Sequence, residues 1–312
     1  MADAALTRLF DAAASGLSGA VLWVDPIGEV GEHTRWDRLA PRGRGTDLPD
    51  GPFDAVVVRL PRGRETWAMS VDLAAARLAP TGTLRLFGAN DDGIRSARPA
   101  VESRFAQVRC LDAKGHGRVW EGREIRPGAV GSLMDWARPV GLDLGDRSVT
   151  LWSVPGLFAH GRLDPGSALL LTATGIANGS WLDFGCGVGT LGAFRGGDWV
   201  GVDADVWAVA MAQRNHPDRR IVLGADPTAV SGTRFRQILS NPPLHAGSEN
   251  SDQVAKALAT ESVGLLEPGG ELWVVTPRRV PFGAYCAPVF TDVCAVAQDE
   301  RYRVWRASGR RR

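Results

Sequence analysis

Apolar positions along the chain fall into two kinds of run. Short unbroken runs bounded by turn residues read as buried strands, and longer stretches with apolar residues at helical spacing read as the helices between them. Residues 4–17 carry helical spacing, and Ala20-Val21-Leu22-Trp23-Val24-Asp25 follows as a strand. Arg35 to Pro52, rich in Gly, Pro and Arg, reads as a loop. Phe53 to Leu60 is strand-like, a helix is expected over Glu65 to Leu78, and Pro80-Thr81-Gly82-Thr83 turns into another strand. Further on, Ala168 to Ala173 predicts a helix. Trp181–Phe184, Asp198–Asp203, Arg220–Asp226 and Phe235–Ser240 predict four strands. Ser251 to Leu266 is helical, Glu271 to Thr276 is a fifth strand, and Val289–Ala297 with Tyr302–Ala307 forms a terminal antiparallel pair. Strands alternating with helices predict an α/β protein with doubly wound, mostly parallel sheets.

The pattern occurs twice. Phe53 to Leu60, helix, Leu78-Ala79-Pro80-Thr81-Gly82-Thr83-Leu84 matches Phe235 to Ser240, helix, Leu266-Glu267-Pro268-Gly269-Gly270-Glu271-Leu272. Each copy is strand, crossover helix, proline-glycine turn, strand, so the halves are expected to share a fold. The expected division is 1–142 and 156–312, with the mixed, turn-rich Asp143 to Pro155 as linker.

Polar features break the apolar pattern at the carboxyl ends of successive strands in the second half, where doubly wound sheets bind ligands. Trp181-Leu182-Asp183-Phe184 runs into Gly185-Cys186-Gly187-Val188-Gly189, a turn whose backbone can pass close to a ligand. A dinucleotide fingerprint would need glycine at position 190, where Thr190 stands, and Asp183 would repel a pyrophosphate. The carboxylate instead suits a cofactor with an ammonium group, such as S-adenosylmethionine, with Asp183 either touching its methionine part or orienting the turn. Asp203 ends the next strand, placed for ribose hydroxyls or as a helix cap. Ala225-Asp226 ends the third, placed for adenine. The fourth delivers Asn241-Pro242-Pro243-Leu244-His245. The Asn241 side-chain oxygen and the Pro242 carbonyl can accept both hydrogens of a planar amino group and aim its nitrogen at a methyl donor. His245 could shuttle the released proton or contact RNA.

Composition adds exclusions. With 44% hydrophobic and 23% charged residues the 312-residue chain is an ordinary globular one. A net charge of +1 does not by itself argue for nucleic acid, yet nearly every cation is Arg, in clusters such as Arg35 to Arg44, Arg59 to Arg64 and Arg301 to Arg312. Cys110, Cys186, Cys286 and Cys294 have neither zinc spacing nor a disulfide pattern, and Cys186 reads as filler within the turn. No metal is expected. The apolar runs are too short to span a membrane, and a cytoplasmic monomer is expected.

These residues, together with Phe87 to Ala97, the Leu157-Phe158 to Gly166-Ser167 lead-in and Tyr302 to Ala307, resemble the bacterial small-subunit ribosomal RNA guanine-N2 methyltransferases. The resemblance implies two tandem Rossmann-like, class I methyltransferase domains, only the C-terminal one keeping the cofactor motif. S-adenosylmethionine would be held by Asp183, Gly185, Cys186, Gly187, Gly189, Asp203, Ala225, Asp226 and Asn241. Asn241, Pro242, Pro243 and Leu244 would meet a guanine of ribosomal RNA, and the N-terminal half would add RNA surface. Three positions depart from the family pattern. Leu244 replaces an aromatic that stacks on the target base, Arg236 replaces an acid, and Thr190 to Gly197 leaves a short first crossover helix. They keep open a catalytically retired RNA-binding or assembly factor, or an adenine-N6 or glutamine methyltransferase.

Overall fold

The computed structural model describes residues 2–40, 42–43, 45–129, 131–175, 179–244 and 249–311. It divides into two compact units, one of Met1–Arg38, Arg42–Ala137 and Val154–Gly156, the other of Leu39–Pro41, Arg138–Ser153 and Leu157–Arg312.

The first unit contains α1 (Ala2–Ala14), β1 (Val21–Val24), β2 (Thr34–Trp36), β3 (Phe53–Arg59), α2 (Arg64–Ala75), β4 (Leu78–Ala89), α3 (Arg98–Glu102), β5 (Phe105–Asp112), β6 (Gly117–Ile125) and α4 (Leu133–Trp136). Its sheet runs β2-β1-β3-β4-β6-β5, parallel through β4 and antiparallel beyond. One face is closed by α1, whose Leu9 and Ala13 pack with Val21, Trp23, Val57 and Phe87.

The second unit opens with a hairpin, β7 (Arg138–Leu144) and β8 (Arg147–Ser153), followed by α5 (Pro165–Thr174), β9 (Trp181–Phe184), α6 (Thr190–Arg195), β10 (Trp199–Asp203), α7 (Val206–Asn215), β11 (Arg220–Leu223) and β12 (Phe235–Ser240). It closes with α8 (Glu249–Leu265), β13 (Leu266–Pro277), α9 (Phe282–Cys286), β14 (Phe290–Gln298) and β15 (Tyr302–Arg310). The sheet order is β11-β10-β9-β12-β13-β15-β14. Alternation along β9 sends Trp181 into one apolar layer and Leu182 into the other. The stretch expected to be a linker is therefore corrected. Val140 faces Leu151 and Leu142 faces Val149 across the hairpin, and with Leu144 they join the Trp181 layer, because burying that apolar stripe outweighs leaving a polar tether.

Matching strand for strand, the two sheets share one topology, β11 being the addition. Even the irregularities agree. The register shifts after Phe53 in the β3–β4 pair and after Phe235 in the β12–β13 pair. The first unit lacks the Gly-x-Gly-x-Gly turn after its first strand. There Arg35 donates to the carbonyls of Gly28 (2.8 Å) and Pro26 (3.4 Å) and to the Asp37 carboxylate (2.6 Å), tying together the loop and the acid that follow β1 and β2. No helix among the described residues is long and apolar enough to cross a membrane.

Candidate active site

The site grows from the end of β9. Gly185 and Gly187 take φ of 77° and 55°, and a side chain there would point into open space, with only the Asn241 carbonyl within 4.0 Å of Gly185. Both conditions favour glycine facing a ligand. Gly189 differs: a Cβ would lie 2.4 Å from the His216 ring, so its glycine serves packing at the start of α6. The turn is held by β10. Val202 O accepts from the amides of Gly185 (2.8 Å) and Cys186 (3.0 Å), and Asp203 Oδ2 accepts from the Gly187 amide at 2.7 Å. Asp203 Oδ1 accepts from the Asp205 amide (2.9 Å), while Asp205 itself caps α7. Asp203 is thus half-buried and preorganised.

Asp183 is the correction to the expected pattern. The turn's orienting carboxylate is Asp203; Asp183 is fully buried on the Trp181 face beneath the turn, and neither of its oxygens has a hydrogen-bond partner. Burial, reinforced by the Asp203 charge and only partly offset by Arg195, pushes its carboxyl up to about 8. Arg195 is equally buried, with one terminal nitrogen unbonded, and burial pulls its guanidinium down to about 10. Cys186 is buried and its thiol is pushed up by desolvation, which leaves it a small apolar filler.

Asn241 emerges from β12 opposite the turn. Its Nδ2 donates to Asp164 Oδ1 (2.7 Å) and Ser167 Oγ (2.9 Å). With both amide hydrogens committed, Oδ1 is left as an acceptor. Asp164 also accepts from the Ser167 amide at 2.9 Å, capping α5, so the helix start and the asparagine are fixed by one carboxylate. One cleft is lined by Asn241, Gly185, Cys186, Gly187, Asp164, Ser167 and Phe158, together with Val140, Leu142 and Leu151 of the hairpin.

Other expected residues stand apart from that cleft. Pro242 is buried and Pro243 exposed, and the Pro242 carbonyl already accepts from the Leu244 amide at 2.7 Å, closing a tight turn. That turn carries Leu244 into the apolar layer with Phe184, Val202 and Ile238 at 6% exposure, which corrects the expectation that it meets the base. Ala225 is exposed, and Asp226 beside it accepts from the Thr228 amide at 2.9 Å. His245 lies outside the described residues. Three contributors were not assigned from sequence: Asp164, Ser167 and Phe158, the last 67% exposed on the cleft wall. Asp164-Pro165 carries a helix-start signal in the sequence, but nothing there shows that Phe158 is exposed.

An open glycine turn at the switch point of a doubly wound sheet, with an acid after the second strand and an oriented asparagine after the fourth, defines a class I methyltransferase. Residues 148–306 match the methyltransferase small domain, and residues 38–140 its N-terminal counterpart. The chain belongs to the ribosomal RNA small subunit methyltransferase C family. It is 32% identical over 304 residues to that methyltransferase of Stutzerimonas stutzeri, covering 93% of this chain and 90% of the relative. With that of Pseudomonas syringae pv. tomato it shares 36% identity over 242 residues, 74% of this chain and 72% of the relative. Its fold is similar to the T. thermophilus 16S rRNA N2 G1207 methyltransferase in complex with AdoMet and guanosine. That likeness has a TM-score of 0.81 at 22% identity, over 97% of this chain and 92% of that one.

Proposed function

We propose that the second unit methylates the exocyclic N2 amine of a guanine in small-subunit ribosomal RNA, using S-adenosylmethionine. The residues present suit that cofactor. The backbone at Gly185 and Gly187 is open to a ligand, and the orphaned Asp183 carboxyl beneath it would ionise more readily beside a cationic ligand. Gly185, Cys186 and Gly187 would hold the methionine part, Asp203 the ribose and Ala225 with Asp226 the adenine. The cofactor supplies an electrophilic methyl group on a sulfonium.

The chain supplies orientation. A guanine amine is a weak nucleophile because its lone pair is delocalised into the ring, so its hydrogens must be gripped to aim the nitrogen. Asn241 Oδ1 accepts one hydrogen and turns the nitrogen toward the methyl donor. Asp164 and Ser167 keep the amide from rotating, so this acceptor is in place before substrate arrives. Positioning of this kind supplies up to roughly 7–11 kcal/mol of a bimolecular barrier, so no strong base is needed and the proton can leave to water. With Leu244 in the core, the ring of Phe158 is the stacking surface for the base.

The observation that carries this reading is the committed Asn241 amide beside an open glycine turn. Asn241→Ala should lower kcat for N2-methylguanosine formation at least a hundredfold, read by mass spectrometry of small-subunit RNA. Calorimetric affinity for S-adenosylmethionine should change little. Undiminished turnover in that variant would overturn the assignment.

A further inference from the structure

The first unit holds a charge cluster that its fold does not require. Glu121 on β6 is fully buried, and three guanidiniums converge on it: Arg85 Nε on Oε2 at 3.3 Å, Arg109 Nε on Oε1 at 2.7 Å and Arg123 Nε on Oε1 at 2.9 Å. Strand register explains the convergence. Arg85 on β4 and Arg109 on β5 are the direct partners of Glu121 on either side, and Arg123 is two residues along the same face.

The three arginines are not equivalent. Arg85 is buried, and its Nη1 donates to the carbonyls of Ala13 (2.8 Å) and Ser15 (2.7 Å) at the end of α1. It docks that helix on the sheet, while, against the effect of burial, Arg123 and Arg109, the closer pair, hold the Glu121 carboxyl low. Arg109 and Arg123 have side chains 64% and 51% exposed. Each touches Glu121 through Nε, and none of their terminal nitrogens bonds to a described residue. Two guanidiniums thus share one carboxylate oxygen beside a surface cavity lined by Ala106, Gln107, Val108, Arg109, Glu121 and Arg123. With Arg85 on the same carboxylate, three positive charges face one negative, and the excess attracts a further anion.

We propose that Arg109 and Arg123 form a clamp for a phosphodiester of the RNA substrate. The inference rests on the RNA reading above and adds a site to it. A guanidinium fork matches phosphate oxygens in a bidentate way. Glu121 acts as a buried post that fixes both forks, so little side-chain freedom is lost on binding. The cavity lining has no aromatic ring to stack a base, so the clamp reads backbone and not sequence.

The test is the salt dependence of binding to transcribed small-subunit RNA, by fluorescence anisotropy, with the full chain. Each phosphate contact contributes about 0.7–0.9 to the slope of log affinity against log salt. Arg109→Gln with Arg123→Gln removes one phosphate contact and should reduce that slope by about 0.7–0.9 and weaken binding about tenfold or more at moderate salt, while cofactor affinity stays unchanged. Should the double variant unfold, Arg109→Gln alone leaves Arg85 and Arg123 on Glu121 and should lose about half as much slope. Arg109→Lys with Arg123→Lys should keep the slope and still lose affinity, since charge survives without the fork. Parental slopes in the Gln variants would overturn the clamp, an acidic protein partner included. The parent reading fails separately, if the unaltered chain does not bind RNA. Asn241→Ala should bind RNA with the parental slope despite losing methylation.

Discussion

At Asn241 the chemistry depends on what the side chain is prevented from doing. An asparagine free to rotate would present nitrogen or oxygen to the substrate; here Asp164 and Ser167 take the nitrogen. The residue and its turn were legible from sequence because each follows directly on a strand. Its partners were not, since Asp164 is 77 positions away and only the fold brings it near. Leu244 was misplaced for a related reason: spacing cannot show that the three-residue turn Pro242-Pro243-Leu244 carries the side chain into the core. On the function proposed above, the exposed Phe158 would stack on the base in its place. Phe158→Ala should lower kcat/KM for RNA by about 5- to 150-fold, the range of roughly 1–3 kcal/mol for one base on one ring, with Phe158→Trp restoring it. Weakened cofactor binding with an unchanged KM for RNA would place the ring on the wrong ligand.

Among elements, α5 serves two purposes through its first turn. Asp164 Oδ1 receives both the Ser167 amide and the Asn241 amide group. Asp164→Ala should therefore cost about 0.5–2 kcal/mol in thermal or urea unfolding, the usual loss of a helix cap, and lower kcat beyond what that loss explains. Asp164→Asn keeps a capping oxygen and should recover the stability. Equal recovery of stability and turnover in a variant without any acceptor at 164 would sink the coupling. The crossover helix α6 is as short as its sequence implied, ending at Gly196, and it still closes the Trp181 layer through Leu191 and Phe194. Strand β2 and the β5–β6 hairpin escaped the sequence reading because their apolar positions are few and interrupted by Arg and Glu, as suits strands with one solvated face.

At the scale of the whole molecule, the repeat was visible in the proline-glycine turns, and the structure extends it to strand order and register. The boundary was harder. Residues 138–153 look polar until the hairpin aligns every second residue into one apolar stripe that lines the cleft. We therefore expect a chain beginning at Arg138 to bind S-adenosylmethionine as the full chain does and RNA more weakly, lacking Arg109 and Arg123. One beginning at Gly156 should lose cofactor affinity at least tenfold by calorimetry. Equal cofactor binding by the two truncations would show the hairpin dispensable.

Arg35 bears on how the duplicate is held together. With its guanidinium bridging Pro26, Gly28 and Asp37, the first sheet keeps the strand order of its twin and ties the loop after its first strand with a cation, where the twin uses the Asp203 carboxylate. One plan used twice in a polypeptide thus secures the same region with opposite charge.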